Sequence, residues 1–202
     1  VGSEMCIRDS KKCAENGVED ITEIKVGYDG IALANSKSGP SLKLSLKEVY
    51  LALAKVVPAD PEGETVKPNP YKMWNEINPS LPAKPIVVIG PPPTSGTRDA
   101  FNELAIERGC KKFPGRKELK KANKKLYKAE CRGIREDGAY VEAGENDNLI
   151  IEKLVANPDA IGVFGYSFLD QNRDKVKPAE IDGVLPKFEN ISSGKYLSLI
   201  HI

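Results

Sequence analysis

Apolar positions alternate and then run together over ITEIKVGYDGIALANS, residues 21–36, interrupted by a turn signal at Tyr28-Asp29-Gly30. The pattern predicts two strands, 21–27 and 30–35, with Asp29 as a turn former. The period then changes. From Ser45, the residues Leu46, Val49, Tyr50, Leu53 and Val57 recur on one helical face. Ser45 stands at the N-cap with Glu48 three residues on, the spacing of a capping box. Residues 58–84 are rich in proline and predict a loop with one helical turn near Met73-Trp74. PIVVIG, 85–90, predicts a short buried strand.

The stretch PPPTSGTRDAFNELAIERGC predicts an extended approach and then a helix opening at Ser95-Gly96-Thr97, with Ala100, Phe101, Leu104 and Ala105 on its apolar face. A basic helix is expected over 117–136 and an extended piece over 139–144. A further helix runs from Asn146 to Pro158, a strand over 160–166, a helix from Ser167 to about Val176 and a strand over 180–186. NISSGKY forms a closing turn. Helices that alternate with short apolar strands give the α/β class.

Composition narrows the function classes. The 202 residues are 40% apolar and 29% charged, and no run approaches the roughly 18 apolar residues of a membrane-spanning helix. Aromatic residues make up 6%, which argues against a stacking surface for single-stranded nucleic acid. The one histidine, His201, is penultimate, so a catalytic triad or a multi-histidine metal site is not expected.

The formal net charge of +1 is a cancellation. Residues 111–135 hold eleven Lys/Arg against Glu118 and Glu130, while the rest of the chain is acidic. The lysines at 117, 120, 121, 124, 125 and 128 cover two faces of one helix with only Tyr127 as an aromatic. A solvated face is the first reading, steering of anions the second and nucleic-acid binding the third. Of the four cysteines, Cys110 and Cys131 flank this block, and no CxxC pair occurs. A helical hairpin would bring the two together in a disulfide contributing about 3 kcal/mol. Packing as two small apolar thiols is the alternative.

Strand, proline brake and TSGTRD at a helix start form the strongest chemical signal. The first N–H groups of a helix lack intrahelical partners and lie at the positive end of its dipole. Gly96 admits an anion close to the backbone, Ser95 and Thr97 offer hydroxyls, and Arg98 offers a fork matched to phosphate or carboxylate. No GxxxxGK[ST] loop is present. An ordinary capped helix, with Arg98 paired to Asp99 or another carboxylate, would look the same in sequence. GEND at 144–147 reads first as a helix cap, with Asn146 a lesser ligand candidate, and Tyr166 and Ser167 read first as packing residues.

KVGYDGIALA (25–34), WNEINPSLPAKPI (74–86), SGTRDAF (95–101), GENDNLI (144–150) and AIGVFGYSF (160–168) stand in the family order of periplasmic phosphate-binding proteins. From about Cys13 to Tyr196 the chain resembles the PstS-like branch of the PBP superfamily, the solute-binding proteins of the phosphate ABC transporter.

The resemblance implies a periplasmic-binding-protein type II-like two-lobe α/β architecture, with one lobe incomplete. It also implies that Ser95, Gly96 and Thr97 donate to phosphate. The family commonly has an arginine four residues before this serine. Pro91 stands there, so the guanidinium falls to Arg98 or to Arg135. A periplasmic location favours the Cys110–Cys131 disulfide.

Residues 1–10 and 197–202 read as translated adapter sequence, the latter too short to form an element. Residues 11–84 form a partial first lobe and hinge, 85–166 a second lobe carrying the Ser-Gly-Thr site, and 167–196 a return to the first lobe. The family's N-terminal ligand residues, including an aspartate that accepts the phosphate proton, would precede Lys11.

The expected protein captures inorganic phosphate outside the cytoplasm, as a monomer, for the permease subunits of an ABC importer. It would work by lobe closure, with no cofactor, metal, nucleic acid or covalent chemistry. The rivals are a phosphate-ester-processing enzyme on the same cradle and a nucleic-acid-binding module at 111–135.

Overall fold

The computed structural model of the chain describes residues 16–17, 27–144 and 146–201. The expected strand 21–27 therefore lies outside the described residues apart from Gly27, as do residues 1–10. Within them, one six-stranded mixed sheet organises the chain. β1 (Gly27–Ser36), β5 (Val88–Gly90), β6 (Tyr140–Glu142), β7 (Ile161–Gly165) and β10 (Ser198–His201) run in the order β10-β1-β7-β5-β6, with β8 (Val176–Pro178) also paired to β1. β5 is parallel to both β6 and β7, whereas β1 is antiparallel to β7, β8 and β10.

Strand alternation divides the interior in two. Ile31 and Leu33 of β1, Val88 of β5 and Ile161 and Val163 of β7 enter one core. Ala32, Ala34, Ile89 and Phe164 point into the other. This is what a period of two requires of a sheet covered on both faces. The larger core is closed by α1 (Leu46–Leu53), by α3 (Gly96–Phe101), by the π-helical segment Asn102–Glu107 that continues it and by α4 (Arg108–Cys110). The smaller core is closed by α7 (Asp147–Ala156) and α8 (Tyr166–Gln171).

Local signals account for several boundaries. Ser45 and Glu48 form the capping box of α1. A short α2 (Trp74–Ile77) interrupts the proline-rich region. That region also holds an unforeseen hairpin, β3 (Val56–Pro58) with β4 (Val66–Pro68), so Val57 is a buried strand residue rather than the end of the α1 stripe. β2 (Lys43–Leu44) pairs with β9 (Glu180–Ile181).

Five further expectations are corrected. First, Tyr28-Asp29-Gly30 makes no turn and lies inside β1. Gly30 is needed because a Cβ there would come within 3.0 Å of the Leu197 carbonyl and the Ile191 side chain. Second, the basic helix 117–136 is two helices, α5 (Pro114–Ala122) and α6 (Lys124–Arg132), broken at Asn123, whose side chain caps the second by accepting from Leu126 N at 3.0 Å. Third, the helix from Ser167 stops at Gln171, and Val176 already belongs to β8.

Fourth, the strand expected over 180–186 ends at Ile181, because Asp182 (φ 48°) and Gly183 (φ 80°) reverse the chain before the short α9 (Phe188–Ser192). Fifth, residues 198–201 do form an element. They pair with Gly27–Gly30, whose backbone groups extend beyond the end of β7.

Cys110 and Cys131 are disulfide-bonded, with their Cα atoms 5.5 Å apart. No helix among the described residues is long and apolar enough to cross a membrane.

Candidate functional site

Three helices begin where the parallel strands β5, β6 and β7 end. Gly90 leads through the prolines to Ser95 and α3, Glu142 leads to Asn146 and α7, and Gly165 leads directly into α8. α3 and α7 pack on opposite faces of the sheet, yet their N-termini share its carboxyl edge. In open α/β sheets this edge is where ligands bind. β1 passes the same edge, since Ile31 pairs with Gly165. Topology thus gathers Asp29, Ser95-Gly96-Thr97, Asn146-Asp147 and Gly165-Tyr166, which are far apart in sequence.

Ser95 is the N-cap of α3: its backbone is extended (φ −84°, ψ 134°) and its Oγ accepts from Thr97 N at 3.2 Å. Its carbonyl takes the N–H groups of Arg98 and Asp99 at 3.0 and 3.2 Å. The N–H of Gly96 and the hydroxyl of Thr97 make no hydrogen bond among the described residues. A Cβ on Gly96 would meet nothing within 4 Å, so space is open directly over the first turn.

Arg98 supplies the charge. It is 7% exposed, stacks over the Tyr140 ring at 4.0 Å from the centroid, and donates through NH1 to the Pro91 carbonyl at 3.1 Å. Its Nε is buried without a hydrogen-bond partner, and no carboxylate among the described residues lies within ion-pair distance. The pairing with Asp99 that an ordinary capped helix would show is not formed.

Tyr140 was not foreseen as part of this site. Its hydroxyl donates to the same Pro91 carbonyl at 2.9 Å, and its ring is the platform under Arg98. Burial pushes the phenol up to about 12, with the Arg98 charge opposing. Gly90 has no Cβ because one would collide with the Tyr140 hydroxyl. The sequence signal, AYVEAG as an extended piece, locates Tyr140 on a strand. Only the register of Val88 with Tyr140 aims it at Arg98.

The second helix start is negatively charged. Asn146 Oδ1 accepts from Asn148 N at 3.0 Å, so Asn146 acts as the cap of α7. Asp147 Oδ2 faces the Gly165 N–H at 3.5 Å. Burial raises the Asp147 carboxyl above its ordinary range. The Gly165 N–H pulls it down, and the Asp29 charge adds to the rise.

Arg135, the other guanidinium considered, is placed elsewhere. It is buried and bound bidentately by Asp137, with NH1 donating to the carbonyls of Tyr71 (2.7 Å) and Ala52 (3.2 Å). It joins the end of α1 to the proline-rich region.

The basic block is largely an internal ion network. Arg116 pairs with Glu130 and donates to the carbonyls of Gly63 and Glu64. Buried Glu107 receives Lys111 at 2.9 Å, Lys120 at 3.2 Å, Arg132 at 2.5 Å and the Tyr127 hydroxyl at 3.2 Å. Burial pushes the Glu107 carboxyl up, but these cations outweigh it and hold it at about 2.

The model of a PBP superfamily domain matches residues 2–199. The chain belongs to the PBP superfamily. Protein SphX of Synechococcus elongatus is 28% identical over 189 residues, covering 91% of this chain and 45% of that protein. The phosphate-binding protein PstS of Staphylococcus saprophyticus is 25% identical over 177 residues, covering 86% and 41%. The PBP-superfamily chain therefore spans less than half the length of these relatives. Among solved structures, a possible phosphate binding protein from Planctomyces limnophilus superposes with a TM-score of 0.65 at 23% identity, over 96% of this chain and 58% of its own. That likeness supports the α/β fold expected from the sequence.

Proposed function

We propose that this chain contributes one wall of a phosphate site, built from Ser95, Gly96, Thr97 and Arg98, in an extracytoplasmic solute-binding protein serving an ABC importer. The observation that carries the reading is Arg98, a buried guanidinium without a carboxylate partner among the described residues, beside an open helix start. Burying a cation without an anion is costly, and a tetrahedral oxyanion over Gly96 would compensate it. The names of the relatives, phosphate-binding proteins among them, point to the same ligand. Gly96 N–H and the Thr97 hydroxyl donate to the anion, the α3 dipole adds to its field, and Arg98 supplies the charge-assisted bond. These donors are fixed before the ligand arrives, so capture needs little reorganisation on this wall. Closure of a second lobe over it would complete desolvation. Asn146 contributes as the cap of α7, and no covalent step is involved.

Inorganic phosphate titrated against the isotope-labelled chain tests this. The amides of Gly96 and Thr97 and the Arg98 guanidinium are expected to shift at millimolar phosphate, and Thr97→Val with Arg98→Ala is expected to abolish the shifts. Thr97→Val alone, which leaves the Arg98–Tyr140 packing in place, should weaken binding severalfold. Unchanged shifts in the double variant, or none in the parent, overturn the assignment. Hydrolysis of a chromogenic phosphomonoester that is lost in Ser95→Ala would replace it with an enzymatic one.

A further inference from the structure

The α5–α6 hairpin carries a second kind of positive charge that the ion network does not use. The three arginines of the block, Arg116, Arg132 and Arg135, are turned inward onto carboxylates. Lys117, Lys124, Lys125 and Lys128 remain exposed, and none has an ion-pair partner among the described residues. Lys124, Lys125 and Lys128 line one flank of α6, beside the seam of buried Tyr127 and Cys131. Leu126, on the other flank, is 43% exposed. The Cys110–Cys131 disulfide ties this platform to α4, so its charges are carried on a fixed support.

We propose that the outer face of the α5–α6 hairpin docks on an anionic lipid bilayer. The chemistry selects this partner over a nucleic acid. Every exposed cation here is an ammonium, a point charge suited to a diffuse negative surface, whereas the guanidinium forks that read base edges are occupied inside the fold. The aromatic rings of the block, Tyr127 and Phe113, are buried and offer no stacking platform. The acidic remainder of the chain orients the molecule by repulsion, hairpin first.

Sedimentation of the whole chain with vesicles tests the surface. Binding is expected to phosphatidylglycerol-containing vesicles and not to pure phosphatidylcholine, and to fall steeply between about 50 and 300 mM salt as screening shortens. Each lysine near such a surface contributes roughly a fivefold factor, so Lys117, Lys124, Lys125 and Lys128→Gln together should lower partitioning by about a hundredfold or more. A control with the exposed Lys67, Lys153, Lys175 and Lys187→Gln has the same net charge and should keep most of the binding. No binding to anionic vesicles, or equal losses in both quadruple variants, overturns the proposal. Retention on duplex DNA without vesicle binding, lost in the hairpin variant, would assign the face to nucleic acid instead.

Discussion

Glu107→Gln is the perturbation that probes the ion network most directly. Glu107 is 3% exposed and sits in the π-helical segment, held by Lys111, Lys120, Arg132 and the Tyr127 hydroxyl. Its carboxyl lies at about 2 rather than the ordinary 4.5. A carboxyl lowered on folding contributes stability that is present above the unfolded value and lost as pH falls toward the folded one. The difference amounts to about 3 kcal/mol at neutral pH, given up between roughly pH 5 and pH 2.

The variant keeps the shape of the site and the acceptor for Tyr127 but removes the charge. Stranding buried cations costs about 3–5 kcal/mol when nothing relaxes. Here Lys111, Lys120 and Arg132 are 35, 41 and 26% exposed and can turn toward water. The expected loss at pH 7 is therefore smaller, about 2–3 kcal/mol.

The decisive feature is its pH dependence. As Glu107 protonates, parent and variant converge, so the loss should shrink to under about 1 kcal/mol near pH 2.5. Urea unfolding followed by the fluorescence of Trp74, the chain's one tryptophan and 2% exposed, measures both ends of the range with the disulfide intact. A loss of equal size at pH 7 and pH 2.5 would show that packing, not charge, is what Glu107 contributes.

Three further outcomes follow from the structure. Replacing Cys110 and Cys131 together by alanine opens a loop with a sequence separation of 21 and should cost about 3 kcal/mol, read as a lowered melting temperature that reductant no longer changes. Gly109→Ala should destabilise by about 1–3 kcal/mol in urea although alanine is the better helix former, because a Cβ there collides with the Leu46 carbonyl and lies 2.6 Å from Tyr50 Cβ. Asp147, raised mainly by burial and also by Asp29, has the opposite sign from Glu107. Its contribution is lost as pH rises from about 3.8 through the raised folded value, so the urea midpoint of Asp147→Asn should gain on the parent between pH 3.5 and 6.

What could be read in the sequence was whatever a short stretch decides for itself. Ser95 caps α3 because an N-cap needs only its own side chain and the next N–H groups, and the opening of the proposed anion cradle was legible for that reason. Tyr28-Asp29-Gly30 has equally strong local turn chemistry but is overruled, since Gly30 is required by the approach of Ile191 and Leu197 from the other end of the chain.

The choice between Arg98 and Arg135 shows both sides of this limit. Asp137, two residues beyond Arg135, already marks a local bidentate pair that commits that guanidinium. Arg98 has Asp99 beside it and does not pair with it, because its side chain is drawn under the sheet edge to Tyr140 and Pro91. That placement depends on the parallel register of β5 with β6, which joins residues fifty positions apart and leaves no local mark. The same argument divides the basic block. Composition counts eleven like charges, but only the position of Glu107, Glu130 and Asp137 in the fold decides which of them neutralise the interior and which face outward.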